Sequence, residues 1–329
     1  MPVRVAVDAM GGDQAPAEIV AGAVASRGAS VEPILYGPRD VLEPIAGGLE
    51  IVHAPSVVAM HEKPADAARE KRDSSLFQAC RAVGAGEADV VVSAGNTGAL
   101  LAGGLLEIRR LPAVHRPAIA VPIPARRGTP CVLVDAGANA DARPEHLVQF
   151  AAMGALFAQE VLDIPDPEVR LLSIGEEAEK GNRLTREATP LLEASGLRFA
   201  GNTEGRDLLD GPCDVVVCDG FTGNVVLKCL EGTIRSVLRG LREEIEASKS
   251  SRVGGLLIRP AARRLRARLD PDTYGGAYLL GLRGLVVSAH GNSSRVALEN
   301  AIRLAAVGAE HHVVDRVGAR LAERAAVSA

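Results

Sequence analysis

Six short apolar runs punctuate the chain, and each gives way to a small polar loop and then to a helical pattern. The first, Val3, Val5, Ala6 and Val7, stops at Asp8 and enters Met10-Gly11-Gly12-Asp13. A helix is predicted from about Pro16, a residue suited to a first helical turn. ADVVVSAGNTGALLAGG (88–104), PCVLVDAGANADARPEHL (130–147), VRLLSIGEEAEKGNRLT (169–185), CDVVVCDGFTGNVVLK (213–228) and GLVVSAHGNSSRVALENAI (284–302) repeat the pattern. Unbroken apolar strands alternating with helices predict an α/β fold, with a mainly parallel sheet covered by helices on both faces. In such a sheet the loops after the strands emerge on one edge, so the six loops are expected to line one cleft.

Glycine and asparagine in a single loop reflect their tolerance of turn geometry. The same small polar set in all six points instead to an oxyanion held by backbone N–H groups, helix N-termini and neutral side chains. The first loop lacks the lysine of a P-loop and the spacing of a dinucleotide fingerprint, and GEEAEKGN (175–182) reverses the P-loop order of lysine and glycine. There is no GxSxG. His311-His312 is expected on a surface helix, and Cys213 and Cys218 have no partner pair, so no zinc site is expected.

At 329 residues, 47% apolar and 24% charged, the chain has the composition of a globular protein with a large core. Three tyrosines, five phenylalanines and no tryptophan argue against a base-stacking surface, hence against nucleic acid as a partner. The five cysteines form no CxxC pair, and Cys131 and Cys218 lie in apolar runs, which predicts buried reduced thiols and a cytoplasmic setting. Neither a signal-peptide pattern nor an apolar run of ~18 residues is visible.

Net charge is −4 but unevenly placed. Seven cations (Lys249, Arg252, Arg259, Arg263, Arg264, Arg266, Arg268) and no acid lie between Glu246 and Asp270, leaving 30 cations against 41 acids elsewhere. These cations alternate with Val253, Leu256, Leu257, Ile258, Leu265 and Leu269. Gly254-Gly255 and Pro260 predict two short helices around a bend. Upstream, Val226, Leu230, Ile234, Val237/Leu238, Leu241 and Ile245 recur at helical spacing, as for core or a dimer face. The whole, residues 1–329, is expected to form a single α/β domain that includes a basic amphipathic helical arm at 246–271.

VAVDAMGGDQAP, SAGNTGAL, DAGANADARPEHLVQFA, GEEAEKGN, DVVVCDGFTGNVVLKCLEG and YGGAYLLGLRGLVVSAHGNSS, in this order, resemble the bacterial acyl-[acyl-carrier-protein]:phosphate acyltransferases of phospholipid synthesis, the PlsX family. The likeness runs from about residue 3 to about residue 310. VHAPSVVAMHEKPADAAREKRDSSL (52–76) extends it, with Leu76 where the family pattern has methionine. The resemblance implies attack of inorganic phosphate on the thioester of a long-chain acyl carrier protein, giving acyl phosphate for a membrane glycerol-3-phosphate acyltransferase. It also implies a homodimer, and a fold similar to the isocitrate/isopropylmalate dehydrogenases and phosphotransacetylase. Direct attack by phosphate requires neither an enzyme nucleophile nor a cofactor or metal.

On this reading Lys180 and His290 supply positive charge, and Asn182, Thr222, Asn224 and Asn292 supply neutral donors. Asp8, Gly11, Gly12, Asn96, Thr97 and Asn139 shape the phosphate end of the cleft. Asp135 and Asp219, like Asp8, repel phosphate and so serve to orient the cationic side chains or loop amides. Leu256, Leu257, Ile258, Arg259, Arg263, Arg264 and Arg266 are expected to meet either an anionic membrane surface or the acidic carrier protein. That places the protein in the cytoplasm, peripherally on the membrane. The alternatives are a phosphotransacetylase-like enzyme using acyl-CoA, a dehydrogenase of related fold, and a non-catalytic membrane scaffold of lipid synthesis.

Overall fold

A computed structural model of the protein describes residues 1–269 and 276–327. Asp270 and Pro271 of the expected arm, and Tyr274 and Gly275 of the last quoted motif, lie outside the described residues. The strands are β1 (Val3–Asp8), β2 (Val31–Gly37), β3 (Glu50–His53), β4 (Val90–Ser93), β5 (Ala118–Ile123), β6 (Cys131–Val134), β7 (Val169–Ser173), β8 (Phe199–Glu204), β9 (Val215–Val217), β10 (Ala277–Leu280) and β11 (Leu285–Ser288). The helices are α1 (Ala17–Ser26), α2 (Arg39–Leu42), α3 (Pro64–Glu70), α4 (Ser75–Gly84), α5 (Thr97–Gly103), α6 (Pro144–Val161), α7 (Arg183–Glu193), α8 (Gly220–Glu246), α9 (Lys249–Leu269), α10 (Arg295–Glu310) and α11 (Val313–Val327).

Every residue of β4, β6, β9 and β11 is buried, as valine-rich strands covered on both faces should be. One apolar layer gathers Phe150, Phe157 and Leu298, and the other gathers Phe77, Leu100 and Leu279. Four of the small polar residues that follow strands are helix caps. The side chains of Asn96, Asn182, Asp219 and Ser294 accept from the backbone N–H three residues on, starting α5, α7, α8 and α10.

The sheet has the order β3-β2-β1-β4-β11-β10-β5-β6-β9-β7-β8. The first five strands are mutually parallel, as are the last four. Between them β10 is antiparallel to both β11 and β5, and β5 is antiparallel to β6. Three reversals mean that the two parallel blocks point in opposite directions. The expectation that all six loops leave by one edge is therefore corrected. Those after β1, β4 and β11 leave one way, and those after β6, β7 and β9 leave the other. Register nevertheless brings the two sets together. Val7, Val92, Val287, Tyr278, Ala120, Val134, Val217 and Leu171 form one transverse row, so the strands of both blocks end at nearly the same level.

The basic segment also departs from expectation. It forms one helix, α9, with Pro260 inside it, instead of two short helices about a bend. Gly255 is a site of close approach: a Cβ there would collide with Ile245 of α8, so the glycine lets the two helices pack as a hairpin. In α8 only Gly220 and Gly223 are buried. Of the stripe, Val226 and Leu230 are half-buried and pack against one apolar layer, Ile234, Leu238 and Ile245 are half-buried farther out, and Val237 and Leu241 are exposed. His311 and His312 turn the corner between α10 and α11 instead of lying within a helix.

The root of α8 is tightly seated. A Cβ on Gly220 would lie 2.7 Å from both Asn139 N and Asp135 Oδ2, whereas one on Gly232, out along the shaft, would meet nothing within 4 Å. Gly220→Ala should cost about 2 kcal/mol through overpacking. Gly232→Ala should stabilise by roughly 0.5–1 kcal/mol through helix propensity. Denaturant titration of the two variants measures both signs.

Candidate active site

The loops of the two blocks meet in a cleft of about 490 Å³. One wall is Thr97 and Gly98 at the start of α5, with Ser288 and the run His290–Ser293 after β11. The other is Ala136 and Gly137 after β6, with Asn224, Leu227, Lys228 and Glu231 along the first turns of α8. Asp13 of the first loop closes one end.

His290 is the best-supported polar group. Its Nε2 stands 3.7 Å from Glu231 Oε2, and the Asn292 backbone N–H faces its Nδ1 at 3.5 Å. The histidine holds the Glu231 carboxyl below the usual carboxylate range. A carboxylate that stays ionised beside an imidazole fixes the orientation of the ring. The loop carrying His290 is braced from behind. The Asp13 N–H donates to Gly291 O at 2.7 Å, and Gln14 Nε2 donates to Asn292 Oδ1 at 2.8 Å. Arg295, at the start of α10, pairs with Glu18 of α1 at 2.5 Å.

Asp135 organises the opposite wall. It is wholly buried, and its two oxygens accept from the backbone N–H groups of Ile119, Gly137, Ala138 and Asn139 and from the Asn139 amide. Burial pushes this carboxyl up, and the donated bonds pull it back. Asp8 is its counterpart in the first block, likewise pushed up by burial and holding the Ser93 hydroxyl at 2.7 Å. Both acids orient loop atoms from behind the cleft.

Of the residues singled out in the sequence, Thr97, Asn224, His290 and Asn292 line this cleft. Asn139 is engaged by Pro117 O and Asp135, and Asn96 by Met60 O and Glu62 O. Gly11 and Gly12 belong to the bracing loop, where the Gly11 N–H donates to Asp8 O. Asn182, Asp219 and Thr222 line a separate hollow of about 460 Å³ between the β7 and β9 loops. Lys180 lies in the β7 loop outside the lining of either, packed beside Gly175.

Lys228, Glu231, Asp13 and Ser288 line the cleft without having been singled out. A signal for two of them was present: Asn224, Lys228 and Glu231 follow the i, i+4, i+7 spacing of one helix face. A second groove, about 500 Å³, continues from the first and shares Val121, Pro122, Leu227, Glu231, His290 and Asn292 with it. Its remaining wall is mostly apolar, with Leu209, Leu230, Ile234 and Leu238, and it reaches Arg266 and Leu269 of α9. The site is thus polar at one end and apolar at the other, with His290 and Asn292 at the join. Among the described residues no group of His, Cys, Asp and Glu is arranged to hold a metal.

The family model described as "Fatty acid synthesis protein" matches residues 3–316. A phosphate acyltransferase from Pelotomaculum thermopropionicum is 45% identical over 322 residues, covering 96% of this chain and 94% of the relative. Among solved structures, a phosphotransacetylase from Streptococcus pyogenes superposes with a TM-score of 0.63 at 17% identity, over 94% of each chain. A 4-hydroxythreonine-4-phosphate dehydrogenase from Klebsiella pneumoniae gives 0.54 at 13%, over 95% of this chain and 99% of that one. The latter two likenesses concern the fold, and bear out the expected kinship with phosphotransacetylase and dehydrogenase architectures.

Asp135→Asn should cost about 3 kcal/mol, because an amide NH2 would face N–H donors that need an acceptor. The shift of the denaturation midpoint measures it. Arg295 holds Glu18 down at about 2, against 4.5 ordinarily. The ion pair therefore contributes stability that is present above pH ~4.5 and lost as pH falls through about 2. Glu18→Gln should remove that contribution, so wild type and variant should differ at neutral pH and converge across this window in acid-unfolding curves.

Proposed function

The chain belongs to the fatty acid synthesis protein family and is an acyltransferase of the phosphate-using kind, and on that premise we propose that it moves a long-chain acyl group from acyl carrier protein to inorganic phosphate. The observation that carries the reading is the continuity of polar cleft and apolar groove, with His290 and Asn292 lining both. Phosphate fits the first and a fatty chain fits the second. Leu227 to Leu238 spans about 16 Å of helix, a length suited to a long chain.

In this proposal Lys228, Asn224 and Thr97 hold phosphate against the thioester, held in line by the groove. A phosphate oxygen bonds to the carbonyl carbon, and donors at the His290–Ser293 loop stabilise the charge that develops on the carbonyl oxygen. The C–S bond then breaks, and the departing thiolate takes up the proton that hydrogen phosphate carried, passed on by the His290 ring. Acyl phosphate and free thiol are the products. Glu231 positions His290 throughout. Lys180 and Asn182, on the β7 loop, remain candidates for contact with the outer part of the substrate.

The arm suits a membrane surface. Leu256 and Leu257 are 67% and 80% exposed, Ile258 is 47% exposed, and Arg259, Arg263, Arg264 and Arg266 share their helix. Apolar side chains would enter the interface while the arginines meet anionic headgroups. Delivery of acyl phosphate to a membrane glycerol-3-phosphate acyltransferase for phospholipid synthesis follows naturally from that placement. Val237 and Leu241 of α8, exposed and apart from the groove, are the natural face for a homodimer. No helix among the described residues is long and apolar enough to cross a membrane.

The test is release of carrier thiol from palmitoyl-acyl carrier protein, with acyl phosphate trapped by hydroxylamine. Release should require phosphate and yield the trapped product. His290→Ala should lower kcat by about 100-fold. Phosphate-independent release, or full turnover in His290→Ala, would overturn the reading.

A further inference from the structure

Below the cleft, where the β10–β11 turn, the segment before β5 and the start of α6 come together, the surface is strongly basic. The contacts form an unbroken series. Arg283 Nε donates to Arg110 O at 3.2 Å and the Arg283 N–H to Arg109 O at 2.9 Å. Arg110 in turn donates to the carbonyls of Val114 and His115. The His115 and His146 rings are 6.3 Å apart, and Arg143 caps α6 beside His146. Arg110, His115 and Arg116 line a hollow of about 430 Å³ with Leu105, Leu101 and Asn139.

Arg109, Arg110, Arg116, Arg143 and Arg283 are all exposed, and among the described residues none of them has a carboxylate within 4.0 Å. Elsewhere on the chain arginines are commonly paired, as Arg72 and Arg81 are with Glu107, Arg127 with Asp214 and Arg316 with Glu160. Glu107, Asp141 and Glu145 are the acids closest in sequence to this set, and Glu107 is taken up by Arg72 and Arg81. The field is felt by His146, whose imidazole is pushed down by its own burial and then by Arg116, His115 and Arg143. A chain of net charge −4 thus keeps five arginines unneutralised on one face.

The hollow adjoins the candidate active site. Leu101 lines both, and Ala138 and Asn139 of the hollow directly follow Ala136 and Gly137 of the cleft. Leu105, at the rim, is 38% exposed and Leu106 is 47% exposed, giving apolar contacts among the cations. Unpaired guanidinium groups around an apolar centre suit a folded acidic partner. They steer its approach and then bond its carboxylates in pairs.

We propose that this face, which includes Arg116 and Arg143, is where the acidic carrier protein docks to present its acyl thioester to the cleft. The proposal rests on the carrier-protein reading above. It separates two roles that the sequence assigned to one segment: the α9 arginines serve the membrane surface, and this second basic face serves the carrier.

The experiment compares the double variants Arg116→Glu/Arg143→Glu and Arg116→Lys/Arg143→Lys with wild type, using palmitoyl-acyl carrier protein and phosphate. The glutamate pair should raise KM for the acyl carrier protein at least tenfold while kcat and KM for phosphate stay within twofold. The lysine pair should keep KM within threefold of wild type, as a charge-based role requires. An unchanged KM in the glutamate pair, or an equal rise in both pairs, would overturn the docking site. Failure of wild type itself to turn over the acyl carrier protein would remove the substrate reading, and the docking proposal with it. That outcome is distinguishable because it appears before any substitution is made.

Discussion

The reversal of strand direction at the centre of the sheet is the constraint on which the rest of the molecule depends. β10 and β5 are each paired antiparallel on both sides, so the two parallel blocks face opposite ways. In a sheet of one direction a cleft is walled by loops from a single edge. Here the shared row through Val92, Val287, Tyr278, Ala120 and Val134 puts the ends of both blocks at one level. Loops leaving in opposite directions then form the two walls of one site. A shift of register at β10 or β5 would separate those walls, and Tyr278, fully buried against Phe157, fixes β10 by filling the core beneath it.

Most polar groups near the cleft hold one another instead of projecting into it. Asp135 is surrounded by five donors, Asp8 holds Ser93, and the first loop hangs on Gly291 and Asn292. That arrangement keeps the few outward side chains, His290, Asn224, Thr97 and Lys228, in fixed positions. Preorganisation of this kind is what transfer between two bound substrates needs, because the enzyme then contributes orientation and field without forming a bond to the transferred carbon.

Much of this was legible in the sequence. The apolar runs mark strands because a strand buried on both faces has no polar alternation, and β1, β4, β6, β7, β9 and β11 stand where those runs are. Strand direction was not legible, since β5 and β10 read as apolar runs whichever way their neighbours point. The caps were half legible: Asn96, Asn182 and Asp219 have the composition of ligands and the positions of N-caps, and the structure uses them as caps. Glu231 lay hidden about three turns into a helix whose loop drew attention to Asn224. Pro260 suggested a bend, but one missing N–H in a helix packed along α8 does not interrupt it.

The seating of α8 has an evolutionary consequence. Its packing constraints are concentrated in Gly220 and Gly223, while the remaining residues of the 27-residue helix and all of α9 keep some exposure. Substitutions at the root disturb the Asp135 loop and those from Leu227 to Leu238 reach the groove, whereas the outer hairpin, Gly255 apart, need only preserve an amphipathic character. Neutral drift will therefore accumulate in the hairpin faster than at its base. The outer turns of the hairpin can thus change their surface without disturbing the loop that Asp135 holds.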